Sequence, residues 1–535
     1  MRSSITSIVV ASALIAIAPF ASAQYSSTAS APTALVASGT DDVQAKISAA
    51  PNGGQYVSYF SDAGYDVYVK RLDSNGNVLW TTLVSDRTFS STTDYGMTSD
   101  SAGSCYVVYN DNDPTDPTNA SKSAVKMTKL ASDGTVAWTT VTYSYAGGGT
   151  SLGNGRAAVA SDGYVWGAMS VGFDSTVARV NASTGSISFS NYITESGAKQ
   201  ICSGMKASTD GAMLLSTVRY TTNFSNKILR IRKINSDGTY AWGGTAGNAV
   251  ASQFNIQTGN FPDFISDGAG GAYLPWYTTS PLNCRMQHCD TNGSMTWGTD
   301  GVLVATATTG TFGGTSAAVN RTNPVVILGS DSRVYAFFKA YSASIAGTVW
   351  SGIGGQCFDS AGAAQWNSTD GVMVEDYAAA SAGVVYDRAT GAAVQLGSSV
   401  GVAYTNSATA ISAVGIVGKM NTDGTVASKT TFASDATTKY RFAAAPCSTG
   451  SILAWQANAG GASDVYVSRV NSDGTIGNPV VIGDLNGDEI VDGSDLAALL
   501  GAWGACPGSP CPADLNGDGT VDGSDLAALL GQWSV

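Results

Sequence analysis

The sequence predicts a mainly β protein: an eight-bladed β-propeller, with seven blades as the alternative, followed by a small α-helical calcium-binding domain. Three observations carry that expectation. A strand–turn–strand motif with a polar, glycine-containing turn recurs eight times between Gln24 and Val480. An acidic twelve-residue stretch occurs twice near the end, as "DLNGDEIVDGSD" (Asp484–Asp495) and "DLNGDGTVDGSD" (Asp514–Asp525). Each copy runs into "LAALLG", whose leucines fall on one helical face. The chain accordingly divides into a leader over 1–23, a repeat domain over 24–480 and a calcium-binding domain over 481–535.

The leader reads "MRSSITSIVVASALIAIAPFASAQ": Arg2, an apolar run from Ile8 to Ala18, then the small residues Ala21-Ser22-Ala23. That order is a secretory signal peptide with cleavage expected after Ala23. The apolar run is too short for a mature spanning helix, and no later stretch reaches about 18 apolar residues. The expected location is therefore secreted, extracellular or at the cell surface, with no membrane span in the mature chain.

In the repeat domain a strand ends in a basic and an apolar residue, then a polar turn with glycine, then often Trp. Examples are "YVKRLDSNGNVLW" at Gly76, "KMTKLASDGTVAW" at Gly134, "RIRKINSDGTYAW" at Gly238 and "CRMQHCDTNGSMTW" at Gly293. The remaining turns centre on Gly185, Gly362, Gly424 and Gly474. Asx-rich turns with glycine between alternating runs are hairpin signals, glycine supplying a positive φ. Another strand pair lies about twenty residues before each turn, giving four strands per period of roughly 50–70 residues, the content of a propeller blade. The Trp column (Trp80, Trp138, Trp242, Trp297, Trp366) reads as packing between neighbouring blades. His288, the only histidine, occupies a column otherwise filled by Arg71, Lys129, Arg179, Lys233, Cys357, Lys419 and Arg469, and so reads as structural. The turn and its Trp are loosely similar to quinoprotein repeats. That family's adjacent-cysteine disulfide has no counterpart here, and no redox cofactor is carried over.

Net charge is −13, which argues against a nucleic-acid partner. Eight Asp and one Glu, with no Lys or Arg, put −9 of it into residues 481–535. One histidine leaves no Ser-His-Asp, Cys-His or His-rich metal site. Glycoside cleavage needs two carboxyls, one of them protonated. The repeat domain has two glutamates, Glu195 and Glu375. "VEDY" (with Glu375 and Asp376) and "NDNDPTDP" (Asn110–Pro117) are the leftover acidic candidates, and no catalytic residue is assigned. Of the eight cysteines, Cys506 and Cys511 flank "PGSP" and form a candidate disulfide. Cys284 and Cys289 fall on one extended strand about 16 Å apart, too far to bridge. The pairing of Cys105, Cys202, Cys357 and Cys447 is left open.

The doubled twelve-mer matches a calcium loop that offers oxygens from positions 1, 3, 5, 7, 9 and 12. The first copy supplies Asp484, Asn486, Asp488, the Ile490 carbonyl, Asp492 and Asp495; the second supplies Asp514, Asn516, Asp518, the Thr520 carbonyl, Asp522 and Asp525. Two calcium ions are therefore expected. Leu496, Leu499 and Leu500, and Leu526, Leu529 and Leu530, line the following helices, which Gly501 and Gly531 are expected to stop. One loop and one short helix cannot bury a core; two can, once calcium neutralises the acid. Position 6 of the loop favours glycine, as at Gly519, and the first copy has Glu489 there; a left-handed backbone costs such a residue roughly 1–2 kcal/mol. The first site is expected to be the weaker. Trp503 and Trp533 repeat at equal spacing and are expected to pack between the halves.

This duplicated loop-and-helix unit resembles a type I dockerin, over about a tenth of the chain. The resemblance implies calcium binding and docking to a cohesin-type partner of a secreted bacterial protein. The positions that choose the partner would be Gly493, Ser494, Gly523 and Ser524. A basic pair often found on the helix is replaced by Leu500-Gly501 and Leu530-Gly531. The reading that follows is a secreted propeller that binds a polysaccharide or a surface, tethered through the tail. The alternatives are a carbohydrate-active enzyme, a glycosidase or polysaccharide lyase, in polysaccharide catabolism, and a structural extracellular matrix protein.

Overall fold

Each of the eight repeat turns is a tight bend whose glycine has the positive φ the motif requires, from +72° at Gly185 to +91° at Gly474. On either side of each bend the chain runs as antiparallel strands, and these assemble into eight blades. The computed structural model describes residues 24–535 except 62–65, 87–93, 114–121, 147–151, 224–225, 253–255, 257–260, 382–387, 410–411, 459–460, 480, 487–489, 507, 509–510 and 534–535. The leader expected over 1–23 lies outside these described residues.

Blades 1 to 7 occupy 43–85, 96–146, 152–193, 198–249, 265–303, 309–381 and 388–433, each built on an antiparallel meander read from the inside outward. Two of them have a fifth strand: Asn248–Ala249 returns to pair with Ile228–Ile234 in blade 4, and Thr309–Phe312 precedes the inner strand Thr315–Leu328 in blade 6. Blade 8 takes three strands from 438–471, and its outermost strand is Thr33–Val36 from the start of the described chain, Thr33 pairing with Val467. That N-terminal strand closes the ring. The innermost strands touch their neighbours all the way round, from Val43–Ala49 of blade 1 to Thr438–Cys447 of blade 8 and back. Burial follows this layering. The second strand of blade 1, Gln55–Ser61, is buried at every position, whereas its fourth strand, Val78–Ser85, alternates exposed and half-buried. A strand with neighbours on both faces reads as continuous core, and an edge strand keeps the period of two.

Packing between blades explains the spelling of the repeat. A Cβ on Gly134 would lie 2.6 Å from Trp80, and one on Gly293 would lie 2.6 Å from Trp242. Each of these Trp rings lies over the glycine of the next blade's turn and donates its indole N–H to that turn: Trp80 to Ser132 O at 2.9 Å, Trp138 to Ala182 O at 3.1 Å, Trp366 to Thr422 O at 3.1 Å. Glycine is thus needed twice, for its φ and for the ring. The basic column also ties blades together: Lys129 donates to Ala182 O at 2.9 Å and Lys419 to Ser472 O at 2.7 Å. Arg469 makes the same contact across the closure, to Ser74 O of blade 1 at 3.1 Å. There Tyr25 replaces Trp, lying 3.0 Å from where a Cβ on Gly76 would stand. His288 belongs to this column. Its Nε2 meets Asp267 at 2.9 Å and its Nδ1 meets Thr296 at 2.7 Å, within its own blade.

The tail folds as two copies of one unit. Helix α1 spans Gly493–Gly501 and helix α2 spans Gly523–Leu530. Helices this short are marginal alone, and they share a core: Val491, Leu499, Ala513, Val521 and Leu529 are buried, with Leu485, Leu496, Leu515 and Leu526 packed against them. Both halves contribute the same positions. A two-stranded ladder, Gly504–Ala505 with Thr520–Val521, and the Cys506–Cys511 disulfide brace the connection. The other six cysteines are free, five of them buried, and Cys284 and Cys289 sit at the two ends of one strand. Three expectations are corrected. Leu500 and Leu530 lie off the buried face, at 52% and 50% exposure, because the seam is filled by Leu499 and Leu529 with Leu496 and Leu526 one turn back. Trp503 and Trp533 lie beyond the helix ends at 50% and 39% exposure and do not pack between the halves. Gly531 caps α2, but α1 runs through Gly501 and is capped by Ala502. Among the described residues, no helix is long and apolar enough to cross a membrane.

Candidate functional site

Two regions bring chemistry-bearing side chains together: the tail loops and the axis of the propeller. In the second loop Asp514 sits at the centre of a ring of amides. Its Oδ1 accepts from Gly517 N at 2.8 Å and Asp518 N at 3.1 Å, and its Oδ2 accepts from Gly519 N at 2.8 Å. Gly519 reaches this geometry with φ +91°. Asn516 donates through Nδ2 to Asp518 Oδ2 at 3.0 Å, which joins the side chains of loop positions 3 and 5. Asp525, fully buried, accepts from the amides of Leu515 at 2.7 Å, Asn516 at 3.1 Å and Asp522 at 2.8 Å. The Asp522 amide leads, with those of Asn516 and Leu515, in holding that carboxyl below the usual range.

The first loop repeats this frame. Asp495 is fully buried and accepts from Leu485 N at 2.8 Å, Asn486 N at 3.2 Å and Asp492 N at 2.9 Å. Asp492 and Asp522 also cap their helices, each accepting from the amide two residues on at 2.7 Å and each closing a capping box with the buried Asp three residues on. The donor set is hard oxygen throughout, which fits calcium. Asp488 and Glu489 lie outside the described residues. Cys506, Cys511 and Asp514 also cluster, but the two sulfurs are bonded to each other and cannot serve as thiolate ligands. Gly493, Ser494, Gly523 and Ser524 are exposed at the helix starts.

The propeller's two glutamates are both engaged. Glu195 takes a bidentate pair from Arg219, Nε at 2.7 Å and Nη2 at 2.6 Å, and Arg219 holds its carboxyl below the usual range. Burial would raise Glu375, but Lys429 at 2.9 Å and Tyr404 at 2.7 Å outweigh it and hold it low. Asp376 is exposed. In the acidic loop, Asp111 pairs with Lys126 at 2.9 Å, Asn110 and Asp113 are buried, and 114–117 lie outside the described residues.

The propeller axis holds a cluster that sequence reasoning missed. The inner strands leave a cavity of about 380 Å³ lined by Lys46, Asp94, Arg156, Lys206 and Asp263. A second, of about 440 Å³, shares Lys206 and Asp263. Lys46 meets Asp94 at 2.7 Å, Arg156 meets Asp94 at 3.2 Å, and Lys206 meets Asp263 at 2.8 Å. Burial would raise both carboxyls, but Lys46 and Arg156 hold Asp94 low, and Lys206 and Arg156 hold Asp263 low. One signal was available: "NGR", with Asn154 at φ +51°, marks the bulge that aims Arg156 inward.

Residues 482–531 match the Dockerin type I domain family, and the tail is a domain of that type. No curated protein matches the chain. Among solved structures the chain is similar to the Dos1 propeller, at 9% identity over 80% of this chain and 92% of that one, TM-score 0.42. It is also similar to the Hadza microbial sialidase Hz136, at 9% identity over 77% and 73%, TM-score 0.36. A third is the Trypanosoma rangeli sialidase in complex with sialic acid, at 10% identity over 87% of this chain and 64% of that one, TM-score 0.36. Likenesses this distant carry no argument about what the propeller binds.

Proposed function

We propose that this chain is an exported propeller that binds a polysaccharide or a surface, held to a cohesin-type partner by its calcium-loaded tail. In this reading 1–23 is a leader, 24–480 the binding module and 481–535 the tether. Dockerin domains bind cohesins and are generally calcium-binding. The observation that carries the tether is the second loop, where Asp514 and Asp525 are each held by three backbone amides of the twelve-residue stretch itself. Two ions, one per loop, follow from the matching frames around Asp495 and Asp525. The partner's surface is apolar in this reading. Leu500 with Trp503 and Leu530 with Trp533 expose duplicate patches where a basic pair often stands, and Ser494 and Ser524 lie at the starts of the same helices.

The test is capture of the full chain on an immobilised cohesin panel in calcium and in chelator. Retention by at least one cohesin in calcium alone, lost in Trp503→Ala/Trp533→Ala, supports the tether. Retention that ignores calcium, or none at all, refutes it. A second reading, a carbohydrate-active enzyme, has one observation in its favour: Asp94 and Asp263 line the same axial cavity. Both are held ionised, whereas glycoside hydrolysis needs one carboxyl protonated. Mass spectrometry of soluble products from a polysaccharide panel decides between them, since new oligosaccharides absent with boiled protein would make the chain an enzyme.

A further inference from the structure

We propose that the axial cavity is a binding site for the anionic group of an acidic saccharide, a uronate carboxylate or a sulfate ester, received by Arg156, Lys46 and Lys206. The inference rests on the reading that the propeller binds a polysaccharide and names the class it takes.

The first argument is charge. The repeat domain is acidic overall, yet three cations and two carboxylates meet at this cavity, leaving one positive charge in excess. The cations come from three different blades: Lys46 from blade 1, Arg156 from blade 3 and Lys206 from blade 4. Only the arrangement of inner strands round the axis brings them together.

The second argument is unspent donors. Arg156 is fixed by three bonds: Nε to Ser203 O at 2.8 Å, Nη1 to Gly155 O at 2.8 Å, and Nη1 to Asp94 Oδ2 at 3.2 Å. Its Nη2 makes no hydrogen bond among the described residues. The guanidinium is therefore already oriented, with one N–H₂ group left over. Lys46 and Lys206 each have a single carboxylate partner for an ammonium with three donors. All three line the same cavity, and Arg156 faces both carboxylates, Asp94 and Asp263 each acting on it. An oxyanion fits such a set, because each spare N–H finds an oxygen and the excess charge is neutralised.

The two carboxylates give the site its selectivity. Asp94 and Asp263 hold the ammonium groups in place and stay ionised, so they repel an anion brought to their own side. They also accept hydrogen bonds from sugar hydroxyls flanking the charged group. A neutral glycan would find the acceptors but would leave the guanidinium edge and the excess charge unanswered. The cavity volume of about 380 Å³ suits one or two sugar rings rather than a long chain.

The test is calorimetric titration of the full chain with three short oligosaccharides: an oligogalacturonate, a sulfated galactan fragment and a cello-oligosaccharide. The expected result is binding of the uronate or the sulfated fragment, and the two arms tell which anion is taken. The cello-oligosaccharide should bind at least ten-fold more weakly. Lys206→Gln, at a side chain 35% exposed and so safe for folding, should weaken anionic binding about ten-fold or more. Arg156→Lys should do the same if the thermal transition is unchanged. Binding of the neutral oligosaccharide alone, or anionic binding indifferent to Lys206→Gln, overturns the proposal and leaves polysaccharide binding standing. No binding of any glycan overturns both.

Discussion

Aspartates in the propeller turns and aspartates in the tail loops are spelled alike and do different work. In "ASDGT" Asp133 accepts from the amide of Thr135 at 3.0 Å and its hydroxyl at 2.7 Å, and Asp237, Asp423 and Asp473 repeat the arrangement. Each of those carboxylates is satisfied inside its own turn, and each turn belongs to a different blade. In "DLNGDGTVDGSD" four carboxylates crowd into twelve residues with no basic neighbour. Local hydrogen bonds are enough for the first arrangement. The second orients its charges but does not neutralise them, and in the proposed reading a cation does that.

The comparison breaks first under chelation, where the largest effect is expected. Removing calcium from the full chain should abolish hydrogen-exchange protection across 482–531 and leave the propeller's protection unchanged. The two regions should melt separately, and only the tail's transition should rise with calcium, by about 4 kcal/mol for each occupied loop at a thousand-fold excess over its Kd. A single transition, insensitive to chelator, would show that the tail aspartates need no ion.

The propeller's own dependence is steric, and a matched pair of glycines sharpens it. Gly134 has φ +86° with Trp80 against it, whereas Gly163 has φ +81° and nothing within 4 Å of where a Cβ would stand. Gly163→Ala should cost about 1–2 kcal/mol for the left-handed backbone alone. Gly134→Ala should cost about 2–4 kcal/mol, the added part coming from displacing the ring. Denaturant midpoints measure both. Equal losses would mean that Trp80 yields freely and that the glycine is there only for its φ.

The same contrast separates what the sequence discloses from what it hides. Eight blades were legible because turn and Trp form one contact repeated around the ring, and the dockerin-type tail because its twelve-residue motif is contiguous and doubled. Closure by Thr33–Val36 was not, since "TALV" has no turn attached and Tyr25 stands where a Trp would be. The axial cluster was hidden too: Lys46, Asp94, Arg156, Lys206 and Asp263 share no motif and meet only once the inner strands surround the axis. Trp503 and Trp533 misled because equal spacing implies equal environments, not burial; two short helices have a seam too small to take them.

Within the tail, the two loops differ at position 6. The Asp514→Ala chain keeps only the loop with Glu489, and the Asp484→Ala chain keeps only the loop with Gly519. A penalty of about 1–2 kcal/mol for a non-glycine there predicts a calcium Kd about 5–30-fold weaker in Asp514→Ala. Calorimetry on the two full-length variants measures the ratio, and equal constants would remove the backbone argument.

The smallest effect lies where the propeller holds a carboxylate by a cation of its own. Arg219 holds the Glu195 carboxyl below its unfolded value of about 4.3. A depressed carboxyl stabilises the fold fully above that value, and the contribution is lost as pH falls through the lower folded one. Glu195→Gln should therefore lower stability by about 1 kcal/mol at pH 7, a modest figure because both partners touch solvent at 19% and 22% exposure. The deficit should shrink below pH 4 as the wild-type glutamate takes up its proton. Thermal melts of both chains in chelator from pH 7 to pH 3 isolate the propeller's transition. A deficit unchanged across that range would mean that the pair acts through shape rather than charge.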